Sequence, residues 1–477
     1  MNGATRRKLL AGSGAGALAA AGARGTYAAR NAQAPGVARA DLPRASDKLP
    51  VRATPGGEET ITRLPQDAHV RVTGEITGPD GGRWYAIRLW NALDGYVPHE
   101  ALSFTPAPLK PVSTGGTAPV PWEPDVPPAQ GPFPLFAHGG LRAAAAFAAV
   151  PDGPALGRIA ADTPVNVRAY ATDSQTRLWV QVDPAPGAPS GGWVLADRFT
   201  PAGPDPLTAT AAGEPLANRL RGTGMWCTYD VLRETPTRHI IATARANGFS
   251  FMAPQVGTSR RGYWASAEYD ALLPAAHDAG LKVIPWVYTW LVDLPGDMQL
   301  AATALRHVSP SGDVPDGLGI DIEENIAEAP VRSFGQLLRA MLGPEALLAA
   351  ITYQPQNANG RRTPFGAIAE SFNVIAPMAY WHLRPIPYSE RDAYDYVSES
   401  VRLIRERTSR RDTPVAVIGQ TFDWFSRNEI GQHNPSGDEV RGSIKAVKDT
   451  GALGIGYFNW FSTVPDEWDA IRDGYAL

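Results

Sequence analysis

The chain of 477 residues has a single cysteine, Cys227, so it can form no internal disulfide and no cysteine-based zinc site. Cys227 has no histidine close in sequence and reads as a buried strand residue rather than a thiolate nucleophile. The eight histidines are scattered without a metal-ligand spacing, and no metal is expected. Lysine and arginine number 44 against 48 acidic residues, a net charge of −4, which excludes the basic field that draws nucleic acid. The apolar run from Leu9 to Ala23 is too short and too glycine-rich to span a bilayer stably. No Gly-x-Gly-x-x-Gly follows the first apolar strand pattern of the C-terminal half, so a dinucleotide fold has no support and no cofactor is expected.

At 44% hydrophobic residues the chain can build real cores, and its length suits two or three domains. Residues 1–30 read as an export signal. Thr5-Arg6-Arg7-Lys8-Leu9-Leu10 resembles the twin-arginine motif, and Ala21-Gly22-Ala23 offers a small-residue cleavage site. The mature protein would then be exported to the periplasm, the cell wall or the medium, with no membrane span. The other reading is a disordered basic N-terminus. Residues 31–48 read as a flexible Ala/Pro/Arg linker.

Two short all-β stretches follow, and one is a copy of the other. A single constant shift superposes Arg63 on Arg158, Asp67 on Asp162, Val70 on Val165, Val72 on Val167, Trp84 on Trp179 and Phe104-Thr105-Pro106 on Phe199-Thr200-Pro201. A shift that holds through so many positions is duplication. Trp84–Arg88 with Gly95-Tyr96-Val97, and Trp179–Val182 with Gly192-Trp193-Val194, resemble the bacterial SH3-like domain, a tryptophan strand followed by Gly-aromatic-Val. The resemblance covers residues 49–106 and 134–201. It implies small β-barrels that bind cell-wall peptide or glycan; as spacers they would simply pack on the rest of the protein. Residues 107–133 are a proline-rich spacer and 202–217 a further linker.

From 218 to 477, strand and helix patterns alternate. The strands are expected at Met225–Tyr229, Ser250–Gln255, Lys282–Tyr288, Gly317–Glu323, Leu347–Tyr353, Val374–Tyr380, Val415–Thr421 and Gly454–Trp460. Helical patterns lie between them, with Gly248, Gly280 and Gly451 as C-caps. This is the pattern of a (β/α)8 TIM barrel, whose active site lies at the C-terminal ends of its strands.

The telling stretch is Asp316-Gly317-Leu318-Gly319-Ile320-Asp321-Ile322-Glu323-Glu324-Asn325. In a strand, Gly319, Asp321 and Glu323 share one face and Leu318, Ile320 and Ile322 the other. Two acids in register repel each other, and each raises its neighbour's pKa, which suits a general acid near neutral pH. The structural alternative is a pair bonded to barrel-lining groups. The other strand ends supply Asp230, Gln255, Tyr288, Trp290, Tyr353, Tyr380, Trp381, Asp423, Asn459 and Trp460. Aromatic faces stack on sugar rings while carboxylates and amides bind the hydroxyl rim, so this mixture suits a polysaccharide substrate.

The stretch ending at Glu323 resembles the fourth-strand signature of family 18 glycoside hydrolases, the chitinase-like enzymes. Met378-Ala379-Tyr380 and Phe458-Asn459-Trp460 resemble that family's sixth- and eighth-strand segments. The resemblance covers the barrel only. It implies Glu323 as general acid, Asp321 orienting the substrate acetamide that attacks the anomeric carbon, Tyr380 assisting there, and Trp460 stacking beneath the sugar. The chain departs from the pattern in three places: Gly319 stands where the family's first aspartate belongs, Trp381 replaces the aspartate after the tyrosine, and the second strand lacks Ser-x-Gly-Gly. An ordinary two-carboxylate mechanism, with Asp230, Glu324 or Asp423 as partner to Glu323, stays open. The expected function is an exported glycosidase that cleaves a β-glycosidic bond in an N-acetylhexosamine polysaccharide, peptidoglycan or chitin-like. The alternative is a non-catalytic glycan- or wall-binding protein on a degenerate barrel.

Overall fold

A computed structural model describes residues 37–40, 42, 47–79, 81–104, 129–264, 266–384, 386–424 and 433–474. The export-signal reading at 1–30 and the proline-rich stretch from 107 to 128 lie outside them. None of the described helices is long and apolar enough to cross a membrane.

The duplication is visible in topology. Each copy is a seven-stranded antiparallel sheet, and in both the spatial order is third, second, sixth, fifth, fourth, first, seventh. The first copy runs from Val37–Ala40 to Leu102–Ser103 and the second from Phe133–Leu141 to Phe199–Pro201. Asp67 and Asp162 occupy the same tight turn, with φ of 66° and 58°. Two sequence expectations shift. Val37–Ala40, inside the stretch read as linker, is the first copy's opening strand and pairs with His69–Arg71. The Phe-Thr-Pro match is out of register, because Leu102 pairs with Ala40 as Phe199 pairs with Leu141. The hairpin before the sixth strand is longer in the second copy, and the shift changes there. Phe104 is accordingly exposed, while Phe199 is fully buried.

The C-terminal part is a closed parallel barrel. Its strands are β1 (Gly222–Cys227), β2 (Phe251–Thr258), β3 (Lys282–Val283 continuing as Trp286–Thr289), β4 (Leu318–Ile322), β5 (Leu348–Tyr353), β6 (Val374–Met378), β7 (Ala416–Gln420) and β8 (Gly454–Phe458). β1 pairs with β2 on one side and β8 on the other, which closes the sheet. Met225, Met252, Val287, Ile320, Ala350, Ile375, Val417 and Ile455 face the helices. The alternate residues, among them Trp226, Phe251, Trp286, Ile351, Met378 and Ile418, fill the interior. Leu216 and Leu220, from the stretch just before β1, join this inner cluster. The helix between β3 and β4, Leu294–Leu305, carries Pro295 in its first turn, where a proline's missing N–H costs nothing.

The floor of the barrel depends on two glycines. A Cβ on Gly456 would lie 2.6 Å from the Trp226 indole nitrogen. A Cβ on Gly319 would meet Trp286 at 3.0 Å and the Trp226 ring at 3.1 Å. The indole of β1 therefore lies across the space that side chains from β4 and β8 would otherwise occupy.

Both β-modules dock on the barrel. Trp90 of the first meets Trp460 edge to face at 5.1 Å, and its carbonyl accepts from Asn247 Nδ2 at 2.8 Å. Lys48 pairs with Glu234 at 2.8 Å. The second module sends Arg142 to both oxygens of Glu370, each at 2.8 Å. Trp90→Ala should cost about 3 kcal/mol, the usual range for losing a buried tryptophan. Chemical denaturation of the full chain will read this, with the loss falling on the barrel transition as well as on the first module.

Candidate functional site

The site is built on β4. Its alternation holds as far as Ile322, so Gly319 and Asp321 point inward while Leu318, Ile320 and Ile322 pack against helices; Glu323, one residue beyond, is buried and acts on the inward Tyr288. Asp321 is 0% and Glu323 3% exposed. Asp316 sits at the other end of the strand and has a structural task. It accepts from Val283 N at 2.9 Å and lies 3.0 Å from His277 Nε2.

β4 ends at Ile322, so alternation no longer governs Glu324. Its carboxylate turns toward the neighbouring strand, where the Tyr288 hydroxyl donates to Glu324 Oε1 at 2.8 Å. A strand continued past Ile322 would turn Glu324 to the face opposite Glu323; the end of the strand frees it from that alternation. Burial raises the Tyr288 pKa well above the phenol range, and Glu323, Glu324 and Asp321 raise it further. Tyr288 therefore keeps its proton and acts as a hydrogen-bond donor amid three carboxylates.

Trp290 stands across Tyr288, ring centroids 6.3 Å apart at 85°. Tyr353 ends β5 on the inner face. Tyr380, just beyond β6, is inward too and meets Phe422 edge to face at 4.9 Å. Gln255, on β2, is 4% exposed, and its Nε2 has no partner among the described residues. Asp423, beyond β7, is buried and accepts from the His433 backbone N–H at 3.2 Å.

Four expected residues lie elsewhere. Trp381 faces the helices, where its indole donates to Glu439 Oε2 at 3.0 Å. Trp460 lies on the outer side of the barrel wall between Trp90 and Trp468, because the chain turns sharply after β8; Phe458 is the inward ring there. Asn459 caps that turn, its Oδ1 accepting from Phe461 N at 3.2 Å. Asp230 is exposed in the first turn of the helix Tyr229–Glu234.

Sequence reasoning missed two buried polar groups beside the site. His382 Nδ1 lies 2.9 Å from Glu439 Oε2, and Glu439 also closes a capping box with Ser436. The Ser-x-x-Glu spacing before a helix was the available signal. Asp297, in the helix Leu294–Leu305, accepts from the Ser259 hydroxyl and from Leu291 N. Burial pushes its carboxyl up to about 7. Nothing in the sequence around it announced this.

No family model matches the chain, and no curated protein does. Among solved structures it is similar to a chitinase from Chromobacterium violaceum, at 12% identity over 54% of this chain and 99% of that one, with a TM-score of 0.41. It is similar to the spore cortex-lytic enzyme SleL of Bacillus megaterium, at 10% identity over 60% and 77%, with a TM-score of 0.41. It is similar also to a family 18 N-acetylglucosaminidase from Paenibacillus barengoltzii, at 12% over 53% and 99%, with a TM-score of 0.39. The barrel itself is established by its closed strand order.

Two predictions follow from this packing. Gly319→Asp should destabilise the protein by about 2–4 kcal/mol, since it drives a carboxylate into Trp226 and Trp286. Adding Trp226→Ala should leave a combined loss at least about 1 kcal/mol smaller than the sum of the two single losses, as measured by denaturant titration. For Asp297, the folded carboxyl titrates at about 7 against the ordinary 3.8. The folded state thus holds that proton more tightly. Its contribution to stability is greatest below about pH 4, falls by up to about 1.4 kcal/mol per pH unit as pH rises toward 7, and is level above. The stability difference between wild type and Asp297→Asn, followed from pH 4 to 8, should show that slope.

Proposed function

We propose that the protein is a glycoside hydrolase that cleaves a β-glycosidic bond in a polysaccharide containing N-acetylhexosamine, peptidoglycan or chitin-like. The observation that carries this reading is the inward column of Asp321 and Glu323 at the C-terminal end of β4, ringed by Tyr288, Trp290, Tyr353 and Tyr380. Glu323 protonates the leaving oxygen. The substrate's acetamide oxygen, oriented by Asp321 and Tyr380, attacks the anomeric carbon. Water then opens that intermediate, with the Glu323 carboxylate taking its proton. With Trp460 outside the barrel wall, the stacking surface passes to Trp290 at the end of β3.

The resemblance to SH3-like domains and to a twin-arginine signal supports action outside the cytoplasm, with the two modules holding wall peptide or glycan. Of the partners considered for a two-carboxylate mechanism, Glu324 faces Tyr288 and fits, whereas Asp230 is exposed and does not. One observation favours a binding protein instead: the Trp226 indole fills the place of the family's first aspartate.

The test is reducing-end release from peptidoglycan, chitin oligomers and a deacetylated polymer. Glu323→Gln should lower release by at least about 10²-fold while glycan binding persists. Preference for the acetylated polymer supports acetamide participation. No release by wild type, with binding kept by both proteins, selects the binding reading.

A further inference from the structure

The elements that carry the inner aromatic and carboxylate groups end in loops, and those loops need something to hold them. At the end of β3 this something is one buried carboxylate. Asp297, 1% exposed, takes the backbone N–H of Leu291 on Oδ2 at 2.8 Å and the Ser259 hydroxyl on Oδ1. Ser259 Oγ in turn accepts from the Trp290 backbone N–H at 2.8 Å, and Ser259 N donates to the Tyr288 carbonyl at 2.9 Å. Consecutive backbone N–H groups of the β3 turn are thus held by one side chain, one directly and one through a serine. Leu291 has φ of 51°, a left-handed conformation that costs energy in leucine and needs external support.

The same turn supports β4. Asn325 N donates to the Trp290 carbonyl at 3.3 Å, and Asn325 Nδ2 to the Leu291 carbonyl at 2.9 Å. Asn325 is two residues beyond Glu323. Thr289 Oγ1 donates to the Asp321 carbonyl at 3.0 Å, tying the strands together just below. The path therefore runs from Asp297 to Trp290 and Leu291, then to Asn325, and so to the segment bearing Glu323 and Glu324.

We infer that Asp297 is a positioning residue of the site: it fixes the Trp290–Leu291 turn and, through Asn325, the carboxylate segment after β4. This rests on the glycosidase reading for its consequence in turnover, although the geometry it describes does not. A buried carboxylate with no lysine or arginine acting on it among the described residues is a costly way to cap a turn. Locally unfavourable choices of this kind concentrate where a site's geometry needs them, because supporting groups set whether reacting atoms sit within a fraction of an ångström of their productive places. Its two oxygens are aimed at different donors, the Leu291 N–H and the Ser259 hydroxyl.

The experiment compares Asp297→Ala, Asp297→Asn and wild type in the full chain, by turnover and by 19F NMR of protein labelled with fluorotryptophan. The Trp290 resonance is assigned by its loss in Trp290→Phe. Asp297→Ala should displace the Trp290 resonance and lower kcat at least tenfold, with a smaller change in KM and with a single cooperative melt retained. Asp297→Asn should restore both to within threefold and near the wild-type shift: its amide oxygen can accept from Leu291 N, and the Ser259 hydroxyl can turn to the Tyr288 carbonyl, 3.4 Å away. If Asp297→Ala does not fold, Ser259→Ala breaks the link to Trp290 alone and should give the same displacement. An unmoved Trp290 resonance, or kcat within twofold of wild type in the alanine variant, overturns the inference. If wild type cleaves no glycan, the glycosidase reading fails, and the Trp290 resonance alone then decides for or against Asp297.

Discussion

The barrel's working end rests on one packing contact, the Trp226 indole lying across Gly319 and Gly456. Barrels of this size are filled cores rather than pores, closed by layers of inward side chains. Here a single large ring does the work of several, and the strands facing it give up their side chains to make room. The layer above it is then free to be polar. Asp321 and Glu323 sit directly over an apolar floor that contains Trp226, Phe251 and Trp286, where water is excluded and charge is felt strongly. A side chain at Gly319 would meet Trp226 and Trp286, so no carboxylate stands there, and the site's electrostatics must be set from the sides.

Those sides are β3 and the loops after β2 and β4. Tyr288 donates to Glu324 and faces Asp321 and Glu323 at once, so one neutral phenol serves a cluster that would otherwise be held apart by repulsion. Behind it, Ser259, Asp297 and Asn325 make a continuous hydrogen-bonded frame. The carboxylates and their supporting groups therefore lie on adjacent strands, β2 to β4, and the opposite half of the barrel contributes the inward rings Tyr380 and Phe458.

Much of this was legible in the residue order. All eight strands were, because a barrel strand buried on both faces leaves an unbroken apolar run such as Leu348–Tyr353 or Ala416–Gln420. Asp321 was legible because alternation holds through β4, and Glu323, one residue past its end, keeps to the same side. Legibility stopped where strands stopped. Glu324 and Trp460 lie beyond the last paired residue, where the chain's turn and not the period of two sets direction. Trp381 obeyed alternation and went outward, against the expectation drawn from the family's aspartate at that place. Asp297 was invisible because its partners, the Ser259 hydroxyl and the Leu291 N–H, reach it only through the loop after β2 and the turn after β3.

The docking of the two modules bears on how a long polymer would be handled. Arg142 on Glu370, and Trp90 on Trp460, fix each copy to a different flank of the barrel. Binding units on flexible tethers raise local concentration by an amount set by tether length, and they accept many spacings between sites. Units fixed in this way have a single spacing. On the proposed function, a glycan gripped by either module would reach the cleft only at a distance dictated by the protein's own dimensions, so the molecule would act as a ruler along it rather than as a net around it.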